Sequence, residues 1–151
     1  MQMTHKRRIA IQDDYGNHIM AVYVEPEAKG FEGADLSGLQ ASQVTNLRGT
    51  SFKGATLYWA NLSRADFSGC DFERANLAGA SMEEGVFVGA NFQSARMGLD
   101  NLGGATRLQG ADLTDAELRG ADLRGAEYNA GTRFPRGFDP ALAGMVQNGA
   151  R

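Results

Sequence analysis

The chain of 151 residues has few of the side chains from which catalytic and metal sites are built. Cys70 is its single cysteine, which excludes an intrachain disulfide and leads us to expect a reducing compartment. Histidine occurs only as His5 and His18, and neither an HExxH nor a phosphate-binding GxxxxGK sequence is present. No cysteine or histidine pair stands at metal-ligand spacing. No apolar run reaches eighteen residues, so a membrane-spanning helix is not expected. Lys6, Arg7 and Arg8 are followed by only a short apolar stretch before Asp13 and Asp14, which is not a signal-peptide pattern. A soluble, cytoplasmic protein without catalytic residues, cofactor or metal is the expectation.

Proline is also scarce, at Pro26, Pro135 and Pro140 only. Because proline removes a backbone donor, its absence between these ends fits a stack of backbone-paired segments. Charge of one sign is missing too: the whole chain carries −3, and residues 31–131 hold 13 acidic against 8 basic side chains, a net of −5. Arginines are scattered among the acids and no basic stripe with aromatics runs along the chain, so direct nucleic-acid binding is not expected.

What is present is a repeat. From Ala60 to Gly79 a five-residue unit recurs four times: a small residue, Asp or Asn, a large Leu or Phe, then two variable residues. The large residue returns every five positions at Leu47, Phe52, Leu57, Leu62, Phe67, Phe72, Leu77, Met82, Phe87, Phe92, Met97 and Leu102. Before it, Ala34-Asp35-Leu36 opens the pattern, which slips by one residue; after it, one inserted residue near Gly103-Gly104 shifts the series to Leu108, Leu113, Leu118, Leu123 and Tyr128. The position two before is small at Ala55, Ala60, Ala65, Cys70, Ala75, Ala80, Gly85, Ala90 and Ala95 and again at Ala111, Ala116, Ala121 and Ala126, and Cys70 there packs as an alanine would. Period five suits neither a helix nor an open strand. It is satisfied when each unit forms one side of a four-sided coil, with coils stacked about 4.8 Å apart by backbone hydrogen bonds. Twenty residues then separate equivalent positions. Phe67 lies over Phe87, and Phe52, Phe72 and Phe92 form a column, as do Leu57, Leu77 and Met97, and Leu62, Met82 and Leu102. Such ladders let each coil serve as its neighbour's core.

The ends differ. Two β-like runs, Arg8–Gln12 and His18–Val24, flank a turn in which Gly16 and Asn17 accept positive φ, so a β-hairpin is expected, with a polar connector over 25–30. Asp139-Pro140 has the form of a helix start, predicting a short helix from Pro140 to about Gln147. Its apolar face, with Phe138, Leu142, Met145 and Val146, covers the last coil or serves as a dimer surface, so both monomer and homodimer are open.

The A(D/N)Lxx units over about 31–130 resemble the pentapeptide-repeat family. That resemblance implies an all-β fold, a right-handed quadrilateral parallel β-helix, here capped by the N-terminal β-hairpin (1–30) and the C-terminal segment with its short helix (131–151). The hairpin and the stretch 132–140 are similar to end-pieces of bacterial members. Asp100 departs from the pattern by standing where a small inward residue belongs, which points to a bulge between about Gly98 and Thr106. The family implies a non-catalytic protein-interaction or scaffold module with an unknown partner. The alternative it implies is a DNA-mimicking modulator of DNA gyrase or topoisomerase IV, of the quinolone-resistance type; the arginine-interrupted charge does not build a long acidic face. Tyr58, Trp59 and Leu99 are the candidate partner-binding residues, as an apolar corner with Gly79 between coils, either exposed or covered by a neighbouring segment. An aromatic groove, if the fold creates one, would point instead to a carbohydrate or other small ligand.

Overall fold

The structure is a computed structural model that describes residues 5–149. Strand β1 (Arg7–Gln12) pairs antiparallel with β2 (His18–Val24), as the alternation of Ile9 and Ile11 with polar neighbours requires. Gly16 takes φ +82° in the connecting turn. Asn17 does not adopt positive φ; its backbone and side-chain N–H groups are instead held by the Asp13 carboxylate. Ile11, Val22 and Val24 join the core that runs through the rest of the chain. A second acid fixes the hairpin tip to the body: Asp14 accepts from the backbone N–H groups of Thr45 and Asn46 and from the Thr45 hydroxyl at 2.7 Å.

Beyond the connector the chain winds into coils joined by parallel bridges. Ser51 pairs with Asp71, Asp71 with Asn91, and Thr56 with Asn76, each twenty residues on. At the start the step is twenty-one, from Asp35 to Thr56 and from Gln40 to Asn61, which is the one-residue slip in the repeat. The unit Cys70–Arg74 shows why the sequence winds this way. The Asp71 N–H donates to Thr50 O in the preceding coil, and those of Phe72 and Arg74 to Asn91 O and Gln93 O in the next. The Cys70 N–H closes a turn onto Phe67 O. Only the Glu73 N–H has no backbone partner, and the Asp71 Oδ1 accepts it at 2.9 Å. The same bond is made by Asp35, Asn61, Asp66, Asn76, Asn91, Asp112 and Asp122 to the N–H two residues on. Asp or Asn thus recurs because a short side-chain acceptor completes the backbone bonding of the units that carry it.

The last residue of each unit turns the corner with positive φ, often as Gly but also as Trp59, Arg64, Arg74, Glu84, Ser94 and Asp115. Inside, the expected ladders form. Phe52, Phe72 and Phe92 stack at 5.1 and 4.9 Å with planes within 8°, Phe31 extends that column at 5.5 Å, and Phe67 lies over Phe87 at 5.7 Å. Cys70 is buried, and its thiol donates to Leu47 O. Burial pushes the thiol up to about 12, which leaves it protonated and unreactive.

Three expectations are corrected. The interruption near Gly103 is six residues, not one: Asn76 pairs with Arg96, but Ser81 pairs with Arg107, twenty-six positions on. Met97 is therefore followed inside by Leu108, which completes the column of Leu62 and Met82, whereas Leu102 is 86% exposed. It holds the five-residue phase only by coincidence. No helix exists among the described residues. Asp139 caps the expected site, accepting from the N–H of Ala141, but the turn it starts ends at Gly144 with φ +75°. The chain then enters β4 (Val146–Gln147), which pairs parallel with β3 (Glu127–Tyr128), so the backbone at the open end of the solenoid is satisfied by another strand rather than by a helix. Parallel pairing thus reaches past residue 130, through Asp112 with Arg133 as well. Without a helix the four apolar residues share no face: Met145 is buried and Phe138 half-buried against Phe134, while Leu142 and Val146 point outward.

The two kinds of repeat position separate energetically. Phe72→Ala empties a fully buried site between two stacked rings and is expected to cost about 3–5 kcal/mol. Asp71→Ala, which strands one N–H near solvent, is expected to cost about 1 kcal/mol. Urea unfolding of both variants checks the order; equal losses would contradict it.

Candidate functional site

The six extra residues form a loop over 99–104 that projects from one corner of the solenoid. Its neck is an antiparallel bridge between Leu99 and Ala105. Within it Asp100 organises the backbone, since its Oδ1 accepts from the N–H groups of Leu102 at 2.8 Å and Gly104 at 2.7 Å. Its Oδ2 accepts from the Trp59 indole at 2.7 Å. The Asn101 N–H donates to the Tyr58 hydroxyl, also at 2.7 Å. The loop is thus the segment that packs on Tyr58 and Trp59. Tyr58 is half-buried, tilted against Trp59 at 4.5 Å between ring centres. Trp59 and Leu99 keep 51% and 52% of their surface exposed.

Glycine sets this packing. A Cβ on Gly79 would lie 2.6 Å from Trp59 Cδ1, and one on Gly125 would lie 2.7 Å from Leu99 Cγ. Trp59 is thus seated on Gly79 and Leu99 on Gly125, in different coils, with the Asp100 loop joining them. The one polar side chain fully buried in this region repairs the breach that the loop makes in the ladder. Thr106 Oγ1 accepts from the Gly79 N–H at 3.2 Å and lies 2.9 Å from the carbonyl oxygens of both Leu77 and Gly98. Sequence reasoning missed Thr106, Asn101 and Leu102. The signal for the first was a threonine at the re-entry of an interrupted repeat.

Beside this corner, one flat side of the solenoid is hollowed into an open groove of about 410 Å³. Asn61, Ser63 and Ser81 form its floor, Trp59 one wall, and the Arg64–Glu84 pair at 3.0 Å the other. Arg107, paired with Glu83 at 2.9 Å, stands at the far end. Among the described residues, no group of three or more His, Cys, Asp or Glu is placed to hold a metal ion, and no helix is long and apolar enough to cross a membrane.

A parallel solenoid whose coils are built from five-residue, Asx-bonded units defines a class of repeat protein, and the comparisons identify it. A family model described as pentapeptide repeats matches eight copies over residues 31–69, 70–98 and 104–127, leaving out most of the loop. The chain belongs to the pentapeptide-repeat family. Among solved structures it is similar to a pentapeptide repeat protein from the Arabidopsis thaliana thylakoid lumen, at 30% identity over 66% of this chain and 68% of that one, with a TM-score of 0.52. It is also similar to HetL of Nostoc sp. strain PCC 7120, a protein involved in heterocyst differentiation regulation, at 25% identity over 61% of this chain and 46% of HetL, with a TM-score of 0.45. Full-length QnrB1, a plasmid-mediated fluoroquinolone resistance protein, matches at 17% identity over 76% and 60%, with a TM-score of 0.36. No curated protein matches the sequence.

Two measurements address the corner. Thr106→Val keeps shape but leaves the Gly79 N–H unpaired, and a loss of about 1–3 kcal/mol is expected in thermal unfolding. For Asp100, the Trp59 N–H bond and those from Gly104 and Leu102 hold the carboxyl below its ordinary value of 3.8. A lowered folded-state value means that the ionised form favours the closed loop. The loop is therefore expected to be held throughout the neutral range and to loosen only as pH falls through that depressed value. The fluorescence of Trp59, the single tryptophan, followed from pH 7 downward reads this directly; a transition near neutrality would contradict the assignment.

Proposed function

We propose that this protein is a non-catalytic interaction module: a right-handed quadrilateral β-helix, closed by its hairpin and by the segment 131–149, that presents the loop over 99–104 to a protein partner in the cytoplasm. The observation that carries the reading is the exposure of Trp59, Leu99 and Leu102 together at one projecting corner. Exposed large apolar residues gathered on a loop held by hydrogen bonds to a rigid scaffold mark interaction surfaces. Tyr58 serves as the loop's anchor more than as contact surface, because its hydroxyl is engaged by Asn101. At the C-terminal end Leu142 and Val146 offer an outward surface that a second copy could use, while Met145 belongs to the core and Phe138 packs against it.

The charge pattern does not favour modulation of gyrase or topoisomerase IV by DNA mimicry. Arginine and lysine interrupt the acidic surface of the coils, where Glu84 pairs with Arg64, Glu83 with Arg107, Glu73 with Lys53 and Asp66 with Arg48. A duplex mimic needs a continuous negative face, since that is what the enzyme's DNA-binding groove attracts.

The test is a double variant, Leu99→Ser with Leu102→Ser. Both side chains are more than half exposed, so the thermal midpoint is expected to stay within about 0.5 kcal/mol equivalent of the parent. Quantitative cross-linking in cell extract is expected to lose the protein partners that the parent chain captures. An unchanged cross-linking pattern with intact folding would refute the assignment of the loop.

A further inference from the structure

The groove beside Trp59 points to a second use of the surface, distinct from the loop's apolar tip. It arises from one row of the repeat. The ladder positions Gln40, Asn61, Ser81 and Arg107 pair in sequence across four coils, and the row beside them holds Ser42, Ser63 and Glu83. Small side chains at Asn61, Ser63 and Ser81 lower the middle of this side. On the neighbouring side the positions in register with Asn61, Ser81 and Arg107 are Thr56, Asn76 and Arg96. The hollow lies over these small side chains, between Trp59 and the Arg64–Glu84 pair.

Its chemistry selects a neutral, hydroxyl-rich ligand. The two cations, Arg64 and Arg107, are matched by Glu84 and Glu83, so the groove carries no net charge to draw a phosphate or a polyanion. Each of these groups is about half exposed and retains further hydrogen-bonding capacity, because a guanidinium has five donors and a carboxylate about four acceptor sites. Pockets for apolar molecules are lined mainly by hydrophobic side chains, and here the lining is mainly polar. The exception is Trp59. Its indole is fixed by the Asp100 bond and by the missing Cβ of Gly79, so little side-chain freedom remains to be lost on binding. The electron-rich face of an indole attracts the weakly positive C–H groups of a sugar ring, while the ring's hydroxyls exchange bonds with planar amide, carboxylate and guanidinium groups. We propose that this groove binds a neutral saccharide, with a pyranose ring stacked on Trp59 and its hydroxyls directed to Asn61, Ser81 and the Arg107–Glu83 pair. The volume of about 410 Å³ lies in the range of small-ligand sites.

The experiment titrates the full ¹⁵N-labelled chain with three neutral tetrasaccharides, β-1,4-linked glucose, β-1,4-linked N-acetylglucosamine and α-1,4-linked glucose, with inorganic phosphate as the charged control. One of the sugars is expected to shift the single indole N–H signal and the backbone amides of Asn61, Ser81 and Arg107 saturably, with Kd of about 1 mM or tighter. Trp59→Ala and Ser81→Gln are each expected to weaken it by about tenfold or more. Ser81→Gln fills the floor without touching Trp59, so it decides the matter if Trp59→Ala disturbs the loop. The proposal is overturned if none of the three sugars moves these signals at about 10 mM, if Ser81→Gln binds as well as the parent chain, or if phosphate produces the same shifts.

Discussion

The structure depends on where the fifth N–H of each unit goes. In the units that carry Asp or Asn, such as those of Asp71 and Asn91, four of the five backbone donors are satisfied by neighbouring coils and by the corner turn, and the remaining one is accepted by the carboxylate or amide two residues earlier. With that bond in place a five-residue unit needs no partner strand wider than itself. Coils can be added one on another, and the Phe and Leu columns become continuous without any large globular interior. Asp71 and Asn91 are thus backbone elements as much as side chains, and the frequent acids of this sequence are explained before any function is assigned to them.

A ladder bonded at every rung is intolerant of insertion, and this one accommodates six extra residues only because two polar side chains replace what is lost. Thr106 takes the place of a backbone carbonyl for the Gly79 N–H. Asp100 supplies acceptors for the N–H groups inside the loop and binds the loop to Trp59. The irregularity is therefore built and held, with its own capping and its own anchor, and it carries Leu99 and Leu102 outward while the coils on either side remain in register. The same tryptophan that fastens the loop forms the wall of the polar groove, which places an apolar tip and a hydrophilic hollow side by side on one corner of the solenoid.

Much of this was legible in the residues. The twenty-residue recurrence of Phe52, Phe72 and Phe92 pointed to stacked coils, because rings repeated at that interval stack at close to strand spacing. The hairpin followed from alternating apolar residues around a glycine turn. The pairing of Tyr58 and Trp59 at a corner followed from their place in the unit. Leu102 misled because a leucine five residues after Met97 satisfies the period whether or not it points inward, and Asp100 at the small position was the signal against it. Asp139-Pro140 misled because an Asx-capped turn and a helix start are the same local chemistry.

What the sequence determined by itself was the period, and with it the coil, the columns and the outward placement of Asp and Asn, since these are properties of each unit and its copy twenty residues away. What only the tertiary structure decided was everything that depends on unlike residues meeting: the loop bound through Asp100 to Trp59, the strand that closes the C-terminal end, and the groove between facing ion pairs. A repeat fixes how equivalent positions stack, because one bonding pattern is used many times. It leaves open where the chain breaks the pattern, because each break is stabilised by contacts that occur once.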